Sequence, residues 1–138
     1  MALANKKNIG NIQNGKKEII SVEYDFANDT GDIDDYDVLE NIGDNDMIVE
    51  LLEIHVETAV TSGGAANLDL GVGDGGVEIL SDEDATTGQM TADLILLSAT
   101  PKVVLTNGDK IVFGIETAAL TAGKFHMVFE VRNTQFNT

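Results

Sequence analysis

Between Leu52 and Val60 the chain alternates strictly: Leu52, Ile54, Val56, Thr58 and Val60 fall on one phase, and Glu53, His55, Glu57 and Ala59 on the other. A period of two sends successive side chains to opposite sides of an extended backbone, so this stretch reads as a β-strand with one buried face. The wider segment from Met47 to Gly73 repeats the theme. Ser62-Gly63-Gly64 interrupts it, and Leu68, Leu70 and Val72 resume the alternation beyond. Glycine supplies the positive φ that a tight reversal requires, and the segment is expected to form a β-hairpin.

The same period organises the rest. Ile20, Val22, Tyr24 and Phe26 alternate with Ile19, Ser21, Glu23 and Asp25, and Phe125, Met127, Phe129 and Val131 with His126, Val128, Glu130 and Arg132. Both strands are expected in sheet interiors. Shorter strands are read at 36–42, 92–97, 103–106 and 111–117, the entry to 103–106 marked by Pro101. Asn107-Gly108 between two β-branched runs predicts a second hairpin. Thr121-Ala122-Gly123 reads as a last turn, VEILSDEDATTG (77–88) as a loop crossing, and the final NTQFNT as an exposed tail. About eight strands, with no helix-length amphipathic segment, give an all-β class: a single antiparallel β-sandwich over residues 18–138, with jelly-roll topology expected.

Residues 1–17 lack this periodicity. They are rich in Asn, Lys and Gly, with Ile9 and Ile12 isolated, and read as an extended N-terminal arm. Lys6, Lys7, Lys16 and Lys17 are four of the eight basic residues, so the arm carries +4 and the remainder −20. An arm of that charge suits docking on an acidic neighbour, with Lys6, Lys7, Ile9, Ile12, Lys16 and Lys17 as contacts to a scaffold or another protomer. The acidic body would repel nucleic acid and anionic lipid, so neither is an expected partner. Cysteine is absent, which removes disulfides and thiolate chemistry. The N-terminal residues lack a secretory apolar core and no apolar run approaches the ~18 residues of a membrane span, so synthesis as a soluble cytoplasmic protein is expected.

Candidate chemistry is sparse. Asp29, Asp32, Asp34, Asp35 and Asp37 form the densest carboxylate cluster, a candidate structural Ca²⁺ site because that ion takes six to eight oxygens. The EF-hand spacing is not met, since Tyr36 falls where a ligand belongs, and a solvated acidic loop is the competing reading. Asp44/Asp46 and Asp82/Glu83/Asp84 are smaller clusters. Gly71-Val72-Gly73-Asp74-Gly75-Gly76 satisfies GxGxxG, but acidic residues come after it where a phosphate-binding helix should begin, so it reads as a loop. His55 and His126 lie on the polar phases of their strands, near Glu53, Glu57 and Glu130. Without a third ligand at zinc-site spacing they read as surface or inter-subunit histidines. No serine sits in GxSxG, and there is no Trp to make a sugar platform. A catalytic role and a resident cofactor are therefore not expected.

Three stretches taken together, VEYDFANDTGDIDDYDV (22–38), VELLEIHVETAVTSGGAANLDLGVG (49–73) and LTNGDKIVFGIETAALTAGKFHMVFEV (105–131), resemble a family of small tailed-phage virion proteins. Val56 to Gly64 and Leu120 to Phe125 carry the likeness most sharply. The resemblance implies a non-catalytic capsid decoration protein: it would sit on the virion surface as a trimer bound to the major capsid protein, made in the host cytoplasm, and it transfers no catalytic residue. The alternatives are a head-fibre, tail or receptor-binding module of the same kind of particle, and a calcium-stabilised carbohydrate-binding module.

Overall fold

The computed structural model describes residues 1–85, 90–93, 95–97 and 102–135; Pro101 and the last three residues of the NTQFNT tail lie outside the described residues. The elements in chain order are β1 (Ala2–Ile9), β2 (Lys17–Asp25), a helical turn α1 (Phe26–Asp29), β3 (Asp35–Asn41), β4 (Met47–Ser62), β5 (Asn67–Val72), β6 (Leu80–Asp84), β7 (Ile95–Leu97), β8 (Val103–Leu105), β9 (Lys110–Glu116) and β10 (Leu120–Asn133). They form two sheets packed face to face. The first has the order β1-β3-β9-β5-β6; the second runs β2-β10-β4-β7, with β8 also paired to β4. The chain is an all-β sandwich.

Both expected hairpins are absent. β4 lies in the second sheet and β5 in the first, so Ser62-Gly63-Gly64 carries the chain across the sandwich rather than along a ladder. Asn107-Gly108 does the same between β8 and β9. A turn-forming pair reverses direction, but the flanking strands need not share a sheet. Where both bury one apolar face, pointing those faces at each other across a core removes more apolar surface from water than leaving them side by side. Among the described strands, β5 and β6 are the one consecutive pair hydrogen-bonded to each other. Gly71 of the GxGxxG run lies in β5 itself, while Gly73 and Gly76 lie in the connection, which leads into a strand, not a helix. Residues 80–84, expected as part of a loop, are that strand.

The expected turn at Thr121-Ala122-Gly123 is instead an irregular stretch inside β10, where the register against β4 slips and Gly123 takes φ 141°. The reversal comes earlier, at Thr117, which has φ 73°. β10 is interior as expected, lying between β2 and β4, whereas β2 stands at the end of its sheet. Alternation reports one-sided burial, which an end strand shares with a central one.

The core explains the alternation. Tyr24 and Phe125 from the second sheet meet Phe113 from the first with ring centroids 5.4 and 5.7 Å away, and Tyr36 packs beside Phe113 at 5.9 Å. Tilted and edge-on aromatic pairs at such distances add to simple burial. Met47, Val49, Leu51, Ile54, Val56 and Val60 line the inner side of β4. The period breaks at Leu52, which is only half-buried: β10 advances one residue, Val128 to Phe129, while β4 passes from Glu53 to Leu51. This β-bulge joins two alternating halves of opposite phase so that both face the core.

Residues 1–17 are no free arm. β1 pairs parallel with β3, and Leu3, Ile9 and Ile12 are buried. The segment straddles the open edge between the sheets: Lys6 ion-pairs with Glu40 on β3, while Asn5 Nδ2 donates to Glu23 Oε1 on β2 at 3.2 Å. Its apolar residues are too few to show a period, yet each finds the core because β1 covers an edge rather than building a face. Gly10 and Gly43 pass so closely that a Cβ on Gly10 would lie 2.4 Å from the Gly43 nitrogen.

Candidate functional site

The outer face of the second sheet gathers most of the chemistry. Its central row crosses three strands, since His126 on β10 stands directly opposite Glu23 on β2 and His55 on β4. Directly opposed residues on one face place their Cβ atoms about 4.5–5.5 Å apart, and residues two apart along a strand share the face. Glu57, two positions beyond His55, and Lys124, two before His126, therefore join the group. His126 Nε2 lies 2.8 Å from Glu57 Oε2, and its Nδ1 lies 3.9 Å from Glu23 Oε2. Lys124 Nζ stands 3.7 Å from Glu23 Oε2 and 3.6 Å from Glu57 Oε2. The hydrogen bond from His126 and the Lys124 charge hold the Glu57 carboxyl below its ordinary range.

The rest of this face mixes apolar, cationic and acidic side chains. Ile19, Ile95 and Val104 are 58%, 49% and 52% exposed, although each lies in a strand. Arg132 lies between Lys17 and Ile48, which in turn opposes Val104. Lys17 reaches Glu130 at 3.9 Å and Lys102 reaches Glu50 at 3.4 Å. Lys17, Lys102, Lys124 and Arg132, half of the chain's eight basic residues, thus lie on or beside one face of a protein of net charge −16.

Of the five aspartates read as a calcium cluster, four have partners of their own. Asp29 is buried and serves the backbone, its Oδ1 accepting from Ala4 N at 2.7 Å and its Oδ2 from Asp25 N at 2.9 Å. Asp34 Oδ1 accepts from Asp35 N, Asp35 Oδ1 accepts from Gly75 N, and Asp37 pairs with Lys110 at 2.9 Å. Asp32 is exposed and contributes its carbonyl to Tyr36 Oη. Among the described residues, the group of three metal-ligating side chains whose atoms lie within 4.8 Å of one another is Glu23, Glu57 and His126 instead. Sequence spacing could not reveal it, because its members sit on three strands more than thirty residues apart. The usable signal was the placement of both histidines on polar phases beside glutamates.

Of the residues assigned to the arm, Lys7, Lys16 and Lys17 are exposed and Lys6 is engaged by Glu40, whereas Ile9 and Ile12 belong to the core and cannot serve as free anchors. A shallow depression of about 340 Å³ lies at one end of the first sheet, edged by Asp37, Asp74, Asp109 and Lys110. Lys110, hydrogen-bonded to Asp37 and near Glu40 and Asp74, holds its proton above the ordinary lysine range. These features define an all-β sandwich that presents a broad mixed face. Comparison with protein-family models, with curated proteins and with solved structures finds no match for the chain.

Proposed function

We infer that this chain is a non-catalytic structural protein of a tailed-phage virion, binding the outside of the capsid and stabilising it as a trimeric decoration protein. The observation that carries the reading is the outer face of the second sheet. Ile19, Ile95 and Val104 stand out of the sheet among Lys17, Lys102, Lys124 and Arg132 and the glutamates that pair with those lysines, Glu130, Glu50, Glu23 and Glu57. Apolar side chains rimmed by charge are the composition of a docking surface. On so acidic a protein, the cations reduce repulsion at that face towards an acidic shell or a second copy.

Two further features support the reading. The stretches that carry the family likeness most sharply, 56–64 and 120–125, are cross-strand partners: Phe125 opposes Val56, Leu120 opposes Ser62, and Thr61 and Thr121 hydroxyls share a 2.7 Å hydrogen bond. They form one structural unit. The strand order also suits a jelly roll. With β1 set aside and β7 and β8 sharing one position beside β4, the sheets read first-eighth-third-sixth and second-seventh-fourth-fifth, the order of a doubled Greek key.

Lattice attachment draws on many weak contacts whose multivalency gives retention. Lys7 on β1 and Lys16 just before β2 are exposed cations as well. The test is co-sedimentation with capsids of the phage whose genome carries this sequence, after light scattering gives the solution mass. A trimer that sediments with the shell is expected, and Ile19→Asp with Val104→Asp should abolish sedimentation while the circular dichroism stays native. Binding unchanged in that double variant would remove the face from the reading, and a wild type that never sediments would remove the capsid.

A further inference from the structure

We propose that Glu23, Glu57 and His126, with His55 completing the set, form a binding site for one borderline divalent transition ion of the Zn²⁺ class on the outer face of the second sheet. The inference stands on this geometry and not on the virion reading.

Three observations support it. The ligand atoms of Glu23, Glu57 and His126 already lie within 4.8 Å of one another, and they come from β2, β4 and β10. Strands of one sheet hold such side chains at fixed spacing, so little ordering remains to be done when an ion arrives. The second observation is His55, the direct cross-strand partner of His126, exposed and two residues from Glu57. Its ring lies outside that group of three and would turn towards the ion to supply a second imidazole, giving two nitrogens and two carboxylate oxygens, the donor number of a tetrahedral zinc centre. The third is that the two carboxylates converge: Lys124 Nζ stands 3.7 and 3.6 Å from their Oε2 atoms, so both reach one spot, which an ion takes by displacing that ammonium.

The donor set also selects the ion. Ca²⁺ takes six to eight oxygens and Mg²⁺ keeps most of its water, whereas imidazole nitrogens favour Zn²⁺ and its neighbours. In the metal-bound form His126 Nε2 and Glu57 Oε2 exchange their hydrogen bond for bonds to the ion, and Lys124 swings out to solvent. Asn5 Nδ2, which donates to Glu23 Oε1, remains as an outer support orienting that carboxylate.

The experiment is titration of the full chain with Zn²⁺ by calorimetry, with Ca²⁺ as the control ion. One Zn²⁺ per chain is expected, with a rise in melting temperature that EDTA reverses and that Ca²⁺ does not reproduce. His126→Ala, and Glu23→Gln with Glu57→Gln, should each weaken binding roughly tenfold or more. Lys124→Met, which removes the competing cation, should tighten it. The chain has two histidines, so its imidazole signals give a direct readout that needs no variant: substoichiometric Co²⁺ should broaden both together. No saturable Zn²⁺ binding, equal binding by His126→Ala, or Co²⁺ broadening that spares His126 would each overturn the site and leave an ion held only by the general acidity of the surface.

Discussion

Asp29 shows how far a residue's role depends on what folds around it. In the sequence it is one carboxylate among five, and oxygen-rich ligation is the obvious use. In the fold it accepts the backbone N–H groups of Ala4 and Asp25, tying β1 to the end of β2. Removing a buried acceptor leaves its donors unpaired, so Asp29→Ala should cost about 2–4 kcal/mol in urea denaturation. Tyr24 was legible as a core residue from its period and Tyr36 was not, and the hydroxyl partners of neither could be read. Tyr24 Oη donates to the Thr30 carbonyl at 2.6 Å and Tyr36 Oη to that of Asp32 at 2.8 Å, both beside the turn that joins the sheets. Burial, and then the neighbouring acidic groups, push both phenols above the ordinary value of 10.0. The folded state therefore holds more protons than the unfolded chain once the pH passes about 10, and stability falls with pH from there upward. Tyrosinate absorbance should accordingly rise in one step together with loss of circular dichroism, not gradually ahead of it.

At the scale of elements, the strands were legible and their neighbours were not. Alternation identifies a face to be buried, and that requirement is met equally by a hairpin and by a crossing between sheets. Residues 1–9 were missed as a strand for a related reason: Leu3 and Ile9 meet the core from an edge, with Lys6 and Asn5 tied to different sheets, so no period of two develops. Deleting 1–17 should strip Leu3, Ile9 and Ile12 from the core and leave Asp29 without Ala4. The product is expected to be largely unfolded by circular dichroism, and Ile9→Ala alone should cost about 2–4 kcal/mol. The bulge in β4 gives a sharper contrast. Deleting Leu52 brings Met47, Val49, Leu51 and Ile54 into one continuous alternation and should leave a cooperative melt. Deleting His55, where the register against β10 is regular, throws Val56 out of phase with Ile54 and should not.

For the whole molecule, charge and topology pull separately. A net charge of −16 makes self-repulsion a standing cost of compactness, relieved locally where Lys6 meets Glu40 and Lys110 meets Asp37. Added monovalent salt screens the repulsion over distances of about 10 Å at 0.1 M, so the melting temperature should rise with sodium chloride at neutral pH. A scan across ionic strength checks this, and a fall would mean that the ion pairs matter more than the repulsion. Composition made the acidity plain but could not place it, since the sign of a face emerges only when strands distant in sequence lie side by side. Lys17, Lys102, Lys124 and Arg132 are scattered along the chain and meet only on the second sheet.

β10, the last strand in chain order, lies in the middle of that sheet, with β2 on one flank and β4 on the other. During synthesis the two flanking strands emerge from the ribosome well before the strand that joins them. Until residues 120–133 are free, each carries a bare edge of unpaired amides and carbonyls, the kind of surface on which chains pair with the wrong neighbour. Pairing of this sheet therefore waits for residues 120–133, and the nascent chain depends on its negative charge, or on a chaperone, to keep those edges apart in the interval.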